Sequence, residues 1–149
     1  MICEVTEEQR TLFEEILLDH SERPRHRGRL PKPDIVVEGD NPETGDWVRI
    51  ELVVKGKQVE SIAFEAKGSA ILMASCSLMT AIAHHQTTTF ISDCAERYLK
   101  FLESADLPLE TLADLGDLVA LAGIRQFPAR VRCASLPWRI LQQALSAHE

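Results

Sequence analysis

The sequence predicts an α+β fold, a small three-stranded antiparallel sheet with helices packed on one face. Two observations predict it. Alternating apolar residues are confined to positions 35–64, and the stretches after Ser69 carry apolar residues at helical spacing. Strands grouped before helices segregate the two kinds of element, which places the helices together against one side of an antiparallel sheet.

The elements follow in order. Thr6 with Gln9 three residues on has the form of a capping box, and Leu12, Phe13, Ile16 and Leu17 then recur at helical spacing. This helix should end near His20, before the breaker region Pro24 to Gly28. Ile35 to Val37 is a short β-branched run. Asn41-Pro42-Glu43-Thr44-Gly45-Asp46 is dense in turn formers. Trp47 to Val54 alternates, with Val48, Ile50, Leu52 and Val54 on one side. Gly56 supplies a turn, and Val59, Ile62 and Phe64 continue on a second alternating run, so the pair reads as a hairpin with one buried face.

Ser69 is an N-cap for a helix from Ala70 to about His85, rich in small and apolar residues and therefore buried. Phe90 to Leu102 is a further amphipathic helix, with Ile91, Cys94 and Tyr98 on its inner face. Leu107 to Leu121 is leucine-rich and helical in part. A last helix starts between Ala129 and Leu136 and runs to about Ala147, with Pro137 expected in its first turn rather than deeper. No repeat, linker or low-complexity segment interrupts this plan, and the 149 residues are expected to form one domain, 1–149.

Composition narrows the function. Hydrophobic residues make up 45% and charged residues 26%, a globular balance, and the formal net charge is −7. An acidic chain is a poor nucleic-acid binder, because that affinity comes from Lys and Arg neutralising phosphates. No apolar run approaches the ~20 residues of a membrane span, and Met1 to Gln9 lacks the basic-then-apolar order of a signal peptide. A cytoplasmic protein is the expectation. Cys3, Cys76, Cys94 and Cys133 are scattered without a Cys-x-x-Cys, and in a reducing compartment they are expected as thiols.

Three element ends could bring reactive groups together: the turn Asn41 to Asp46, the helix entry at Ser69, and Cys133 near the start of the last helix. Arg130, Arg132 and a helix N-terminus beside Cys133 would lower its pKa; a small buried apolar residue is the competing reading. Asp46 and Thr44 also read as ordinary turn residues and Ser69 as a helix cap. Cys76 and Cys94 read as core, and Cys3 as terminal. The histidines form no chelating pattern. His84 and His85 are adjacent and point to different helix sides, most simply near a helix C-terminus, while His20, His26 and His148 are isolated. There is no glycine-rich phosphate loop and no nucleophile elbow.

Taken together, these segments resemble the SufU branch of the IscU-like (NifU N-terminal) iron–sulfur cluster assembly family, from about Leu12 to Leu145. The resemblance rests on Leu17-Leu18-Asp19-His20 with Pro24-Arg25 and Gly28, on Asn41-Pro42 with Gly45-Asp46, and on Gly68 to Thr80. It continues through Leu115-Gly116-Asp117-Leu118 and Phe127-Pro128-Ala129-Arg130 to Arg132-Cys133-Ala134 and Trp138. The long stretch between Ser69 and Cys133, and a basic residue directly before Cys133, are SufU-like.

The resemblance implies a SufE/IscU-like fold and a site of three cysteines and an aspartate. Such a site binds zinc and accepts sulfur in SufU-type proteins, and builds a [2Fe–2S] cluster in IscU-type ones. By position, Asp46 and Cys133 are kept as metal ligands, with Cys133 as sulfur acceptor, whereas Thr44 and Ser69 stand where the other two cysteines fall. Neutral hydroxyls are poor zinc or iron ligands beside a thiolate. A structural zinc site is worth about 10–16 kcal/mol, so an equal split assigns roughly 5–8 kcal/mol to the two lost ligands.

The implied function is therefore iron–sulfur cluster assembly, as a scaffold or sulfur acceptor rather than an enzyme. The cofactor is zinc, an iron–sulfur cluster or none, and the partner is a SufS-like cysteine desulfurase. The alternative is a binding or regulatory partner of a desulfurase without a metal site. A third arrangement, a metal held across a homodimer by Cys133 of each chain, leaves the state monomer or homodimer.

Overall fold

The computed structural model describes residues 5–148, so Cys3 lies outside the described residues. The chain runs α1 (Glu7–Glu22), β1 (Ile35–Asn41), β2 (Asp46–Lys55), β3 (Gln58–Lys67), α2 (Ala70–Ala83), α3 (Thr88–Glu103), a run of 3₁₀ turns (Leu109–Gln126) and α4 (Pro128–His148). The sheet is antiparallel in the order β1-β2-β3. α2 lies on β3 and α4 on β1 and β2, while α1, α3 and the 3₁₀ run pack behind those two helices. This is the α+β fold expected from the sequence.

The local reasons are those of the residues. At α1 both halves of the capping box form between Thr6 and Gln9. β1 is longer than its β-branched start, because the chain stays extended through Asn41 and reverses only over residues 42–45, where Gly45 takes φ 77°. Val48, Ile50 and Leu52 of β2 and Ile62, Phe64 and Ala66 of β3 are buried. Val59 is buried too, although it sits an odd number of residues from Ile62. The register shifts there: Val53 faces Ser61 and Val54 faces Val59, so Glu60 is the extra residue of a bulge and the alternation resumes one residue out of step. Gly39 lets Ile140 of α4 press against β1, since a Cβ there would lie 2.7 Å from its Cδ1.

The leucine-rich segment is helical in part, as expected: Leu112, Leu115 and Gly116 break it into 3₁₀ turns, with Gly116 at φ 57°. Two expectations need correction. α4 begins at Pro128, where the missing N–H costs nothing at a first helical position, and runs unbroken past Pro137. Pro137 is thus deep in the helix, not in its first turn. Having no N–H, it leaves the carbonyl of Cys133 without its helical donor, and burial of Leu136, Trp138 and Leu141 around it holds the helix together. The next carbonyl, Ala134, accepts a 2.6 Å hydrogen bond from Ser75 Oγ of α2. Among the largest fully buried side chains are Trp138, Tyr98, Phe64 and Phe101, the first two with ring centroids 5.0 Å apart.

Candidate functional site

The turn before β2, the entry of α2 and the second turn of α4 converge at one end of the sheet. Asp46, the first residue of β2, pairs with Asn41 across the turn. It is only 2% exposed, so it is no solvated turn aspartate. Thr44 Oγ1 donates to its Oδ2 at 2.8 Å, and the backbone N–H of Ser69 reaches its Oδ1 at 3.4 Å. Gly68, at φ 156°, permits this approach, since a Cβ there would collide with the Asp46 carboxylate and with Leu72. Ser69 caps α2 as expected, its Oγ accepting from Leu72 N–H at 3.2 Å.

Cys133 completes the cluster. Its thiol lies close enough to the Asp46 carboxylate and to the Ser69 and Thr44 hydroxyls for each of them to shift its ionisation. Thr44, Asp46, Ser69 and Cys133, far apart in sequence, therefore meet. Burial, then the Asp46 carboxylate, raise the Cys133 pKa above the ordinary thiol value; the two hydroxyls oppose this more weakly. The expectation that its arginines lower that pKa does not hold. Arg132 turns to Glu43 at 3.4 Å and Arg130 stacks on Phe127 at 4.5 Å, so neither charge is directed at the sulfur.

Cys76 and Cys94 are wholly buried, as expected. Burial raises both pKa values, that of Cys94 to about 11, and Asp46 adds to the effect at Cys76. A cavity of about 810 Å³ lies between α1, the 3₁₀ run and the start of α4, with Phe13, Leu17, Ile71 and Arg130 in its wall.

The donor set decides what the cluster can hold. One thiol, one carboxylate and two neutral hydroxyls do not make the four anionic or imidazole donors of a tetrahedral zinc site, nor the thiolates of an iron–sulfur cluster. The Thr44 hydroxyl spends its proton on Asp46 rather than turning a lone pair to a shared centre. Among the described residues no group of three or more His, Cys, Asp and Glu side chains is arranged to hold a metal ion. Chemically the arrangement can keep a proton between sulfur and carboxylate and present one sulfur atom near the surface.

The chain has counterparts among known proteins. Residues 12–134 match the NifU-like N terminal domain family. The chain belongs to that family. It is 36% identical to the zinc-dependent sulfurtransferase SufU of Bacillus subtilis strain 168, over 93% of this chain and 92% of the relative. It is 30% identical to the iron–sulfur cluster assembly scaffold protein IscU of Streptococcus pyogenes serotype M1, over 90% of this chain and 82% of the relative. A solved structure from Fervidobacterium islandicum AW-1, named as a candidate assembly scaffold of the SUF system, superposes with a TM-score of 0.80 at 25% identity, covering 88% of this chain and 94% of that one. The NifU-like frame therefore spans most of the chain.

Histidines are where the sequence reading fell short. His26 is not isolated and His84 and His85 do not point apart. The His26 and His84 ring centroids lie 4.6 Å apart, and those of His84 and His85 3.8 Å. His85 leaves α2 in the left-handed region at φ 67°, a common way to end a helix, which swings its ring back onto His84. That half could have been anticipated; the approach of His26 has no local signal. His20 is buried, its Nδ1 2.7 Å from Ser77 Oγ, which also accepts the backbone N–H of Arg25 at 2.8 Å.

Proposed function

We propose that this chain is a SufU-type protein of iron–sulfur cluster assembly that accepts sulfur on Cys133 from a SufS-like cysteine desulfurase without a resident zinc ion. The observation that carries the reading is Cys133 beside the Asp46 carboxylate, on a frame shared with a zinc-dependent sulfurtransferase and with assembly scaffolds. Asp46 draws the proton from the thiol as the sulfur attacks the terminal sulfur of the desulfurase persulfide. The S–S bond of the desulfurase breaks, its cysteine leaves as thiolate, and Cys133 ends as the persulfide. The Ser69 hydroxyl, whose proton is not used in capping α2, stabilises the negative charge on sulfur. Asp46 and Cys133 are what remains of the family's metal ligands, too few to hold zinc or a cluster alone. The chain works as one domain over 1–149 in the cytoplasm, and among the described residues no helix is long and apolar enough to cross a membrane.

The test is to incubate the protein with a cysteine desulfurase and cysteine and to map persulfide by mass spectrometry. The expected result is one added sulfur atom on Cys133, absent in Cys133→Ser and reduced in Asp46→Asn. No label on Cys133, together with desulfurase stimulation or inhibition that survives Cys133→Ser, would establish the docking-only alternative instead. That alternative has one observation on its side: a thiol held above its ordinary pKa is a slow nucleophile at neutral pH.

A further inference from the structure

β3 is an edge strand, and its free edge is covered by two short segments rather than by another strand. From one side, the connection after α1 lies along it: Phe64 N–H donates to His26 O at 3.1 Å and Gly28 N–H donates to Phe64 O at 2.8 Å. From the other, the turn after α2 does the same: His85 N–H donates to Val59 O at 2.9 Å and Val59 N–H to Gln86 O at 2.8 Å. Gln58 Nε2 donates to His85 O at 2.6 Å. Such cover is how an exposed edge is kept from pairing with another chain.

His26 and His85 are the residues at which both segments turn onto the strand. They are the two non-glycine residues at positive φ among the described residues, at 61° and 67°. The two segments meet through the His26, His84 and His85 rings, which lie against one another in tilted contacts. We propose that the His26 and His84 imidazoles, gathered at His85, are an acid-sensitive clasp, closed over the edge of β3 when neutral and opened by the charge they gather as pH falls.

The surroundings do not neutralise that charge. α2 carries no charged residue between Ala70 and Ala83. On the connection, Arg25 is paired with Asp19 and Arg27 with Glu65 of β3. Lys57 and Glu60, on the hairpin and β3, are of opposite sign. Burial, then the charge of His85, lowers the His26 pKa below 6.5; burial, His85 and then His26 do the same for His84. The sign follows. The closed clasp binds fewer protons than an open one, so closure is fully favoured above about pH 6.5 and weakens as pH falls below it. This device is independent of the Cys133 chemistry.

Amide hydrogen exchange read residue by residue from pH 7.5 to 5.5, corrected for intrinsic exchange, tests it on the intact chain. Protection at Gly28, Val59, Phe64 and His85 is expected to fall below pH 6.5 by up to about tenfold per pH unit for each of His26 and His84, while Ile50 and Leu52 in the central strand hold. His84→Gln, which removes the middle ring's charge, is expected to flatten the dependence. Should that variant not fold, His26→Asn, which tolerates the left-handed backbone, gives the same readout. Flat protection at the edge, an equal fall in the central strand, or an unchanged slope in the folded variant would each overturn the proposal.

Discussion

The cluster at Cys133 holds two hydroxyls where a zinc site would need thiolates or imidazoles, and both can be replaced. In Thr44→Cys/Ser69→Cys the cluster would have three thiols and Asp46 at positions the backbone already brings together. The Ser69 change removes the α2 cap, a cost of about 1 kcal/mol. Two restored ligands contribute roughly 5–8 kcal/mol, which is larger. Zinc affinity is expected to tighten by about four to six orders of magnitude relative to the parent chain, read by competition with a chromophoric chelator. Equal zinc binding by parent and variant would show that the frame no longer shapes a metal site. Asp46, Thr44, Ser69 and Cys133 were all legible in the sequence as candidates, because each lies at a recognisable turn or helix end. The pKa of Cys133 was not. Arg130 and Arg132 are close along the chain, but their side-chain partners, Phe127 and Glu43, are settled only by packing.

At the scale of elements, α2 and α4 are joined by a buried bond that also bears on Cys133. Ser75 Oγ donates to Ala134 O, one residue from Cys133 and next to the carbonyl that Pro137 deprives of its donor. Ser75→Ala would remove that donor and leave a cavity the size of one oxygen. The expected loss is about 1–3 kcal/mol of stability by urea unfolding, larger than for Ser21→Ala, whose hydroxyl bonds within α1 at an exposed position. Equal effects would mean that water replaces the serine. Ser75 reads in the sequence as one small residue of a buried helix, and its partner is fixed only once α4 continues through Pro137. Local rules put Pro137 in the first turn of the last helix because they weigh the proline alone. Burial of Trp138 and Leu141 beyond it outweighs the missing bond. The bulge at Glu60 escaped for a similar reason, since the odd spacing of Val59 and Ile62 is a packing compromise between two strands.

For the molecule as a whole, the sequence carries the layer order, because grouped strands followed by apolar helices have few ways to bury one face of each. The same burial sets the alkaline limit of stability. Cys76, Cys94 and Cys133 are all buried thiols whose pKa values are raised in the fold, that of Cys94 to about 11. In the unfolded chain each ionises near 8.5. Above that pH the unfolded state binds fewer protons than the folded one, so stability is complete below about 8.5 and is lost as pH rises toward the folded values. A group whose folded pKa stays well above the solution pH contributes about 1.4 kcal/mol per pH unit, so the completely buried Cys76 and Cys94 together contribute up to about 3 kcal/mol per unit just above 8.5. That is a large share of the about 5–15 kcal/mol by which a domain is stable. Urea midpoints at pH 7.5, 8.5, 9.5 and 10 measure the slope. Cys94→Ala should reduce it by one group's share whatever it does to absolute stability. A slope unchanged in that variant would mean that Cys94 ionises as readily folded as unfolded, against its complete burial beside Tyr98 in α3.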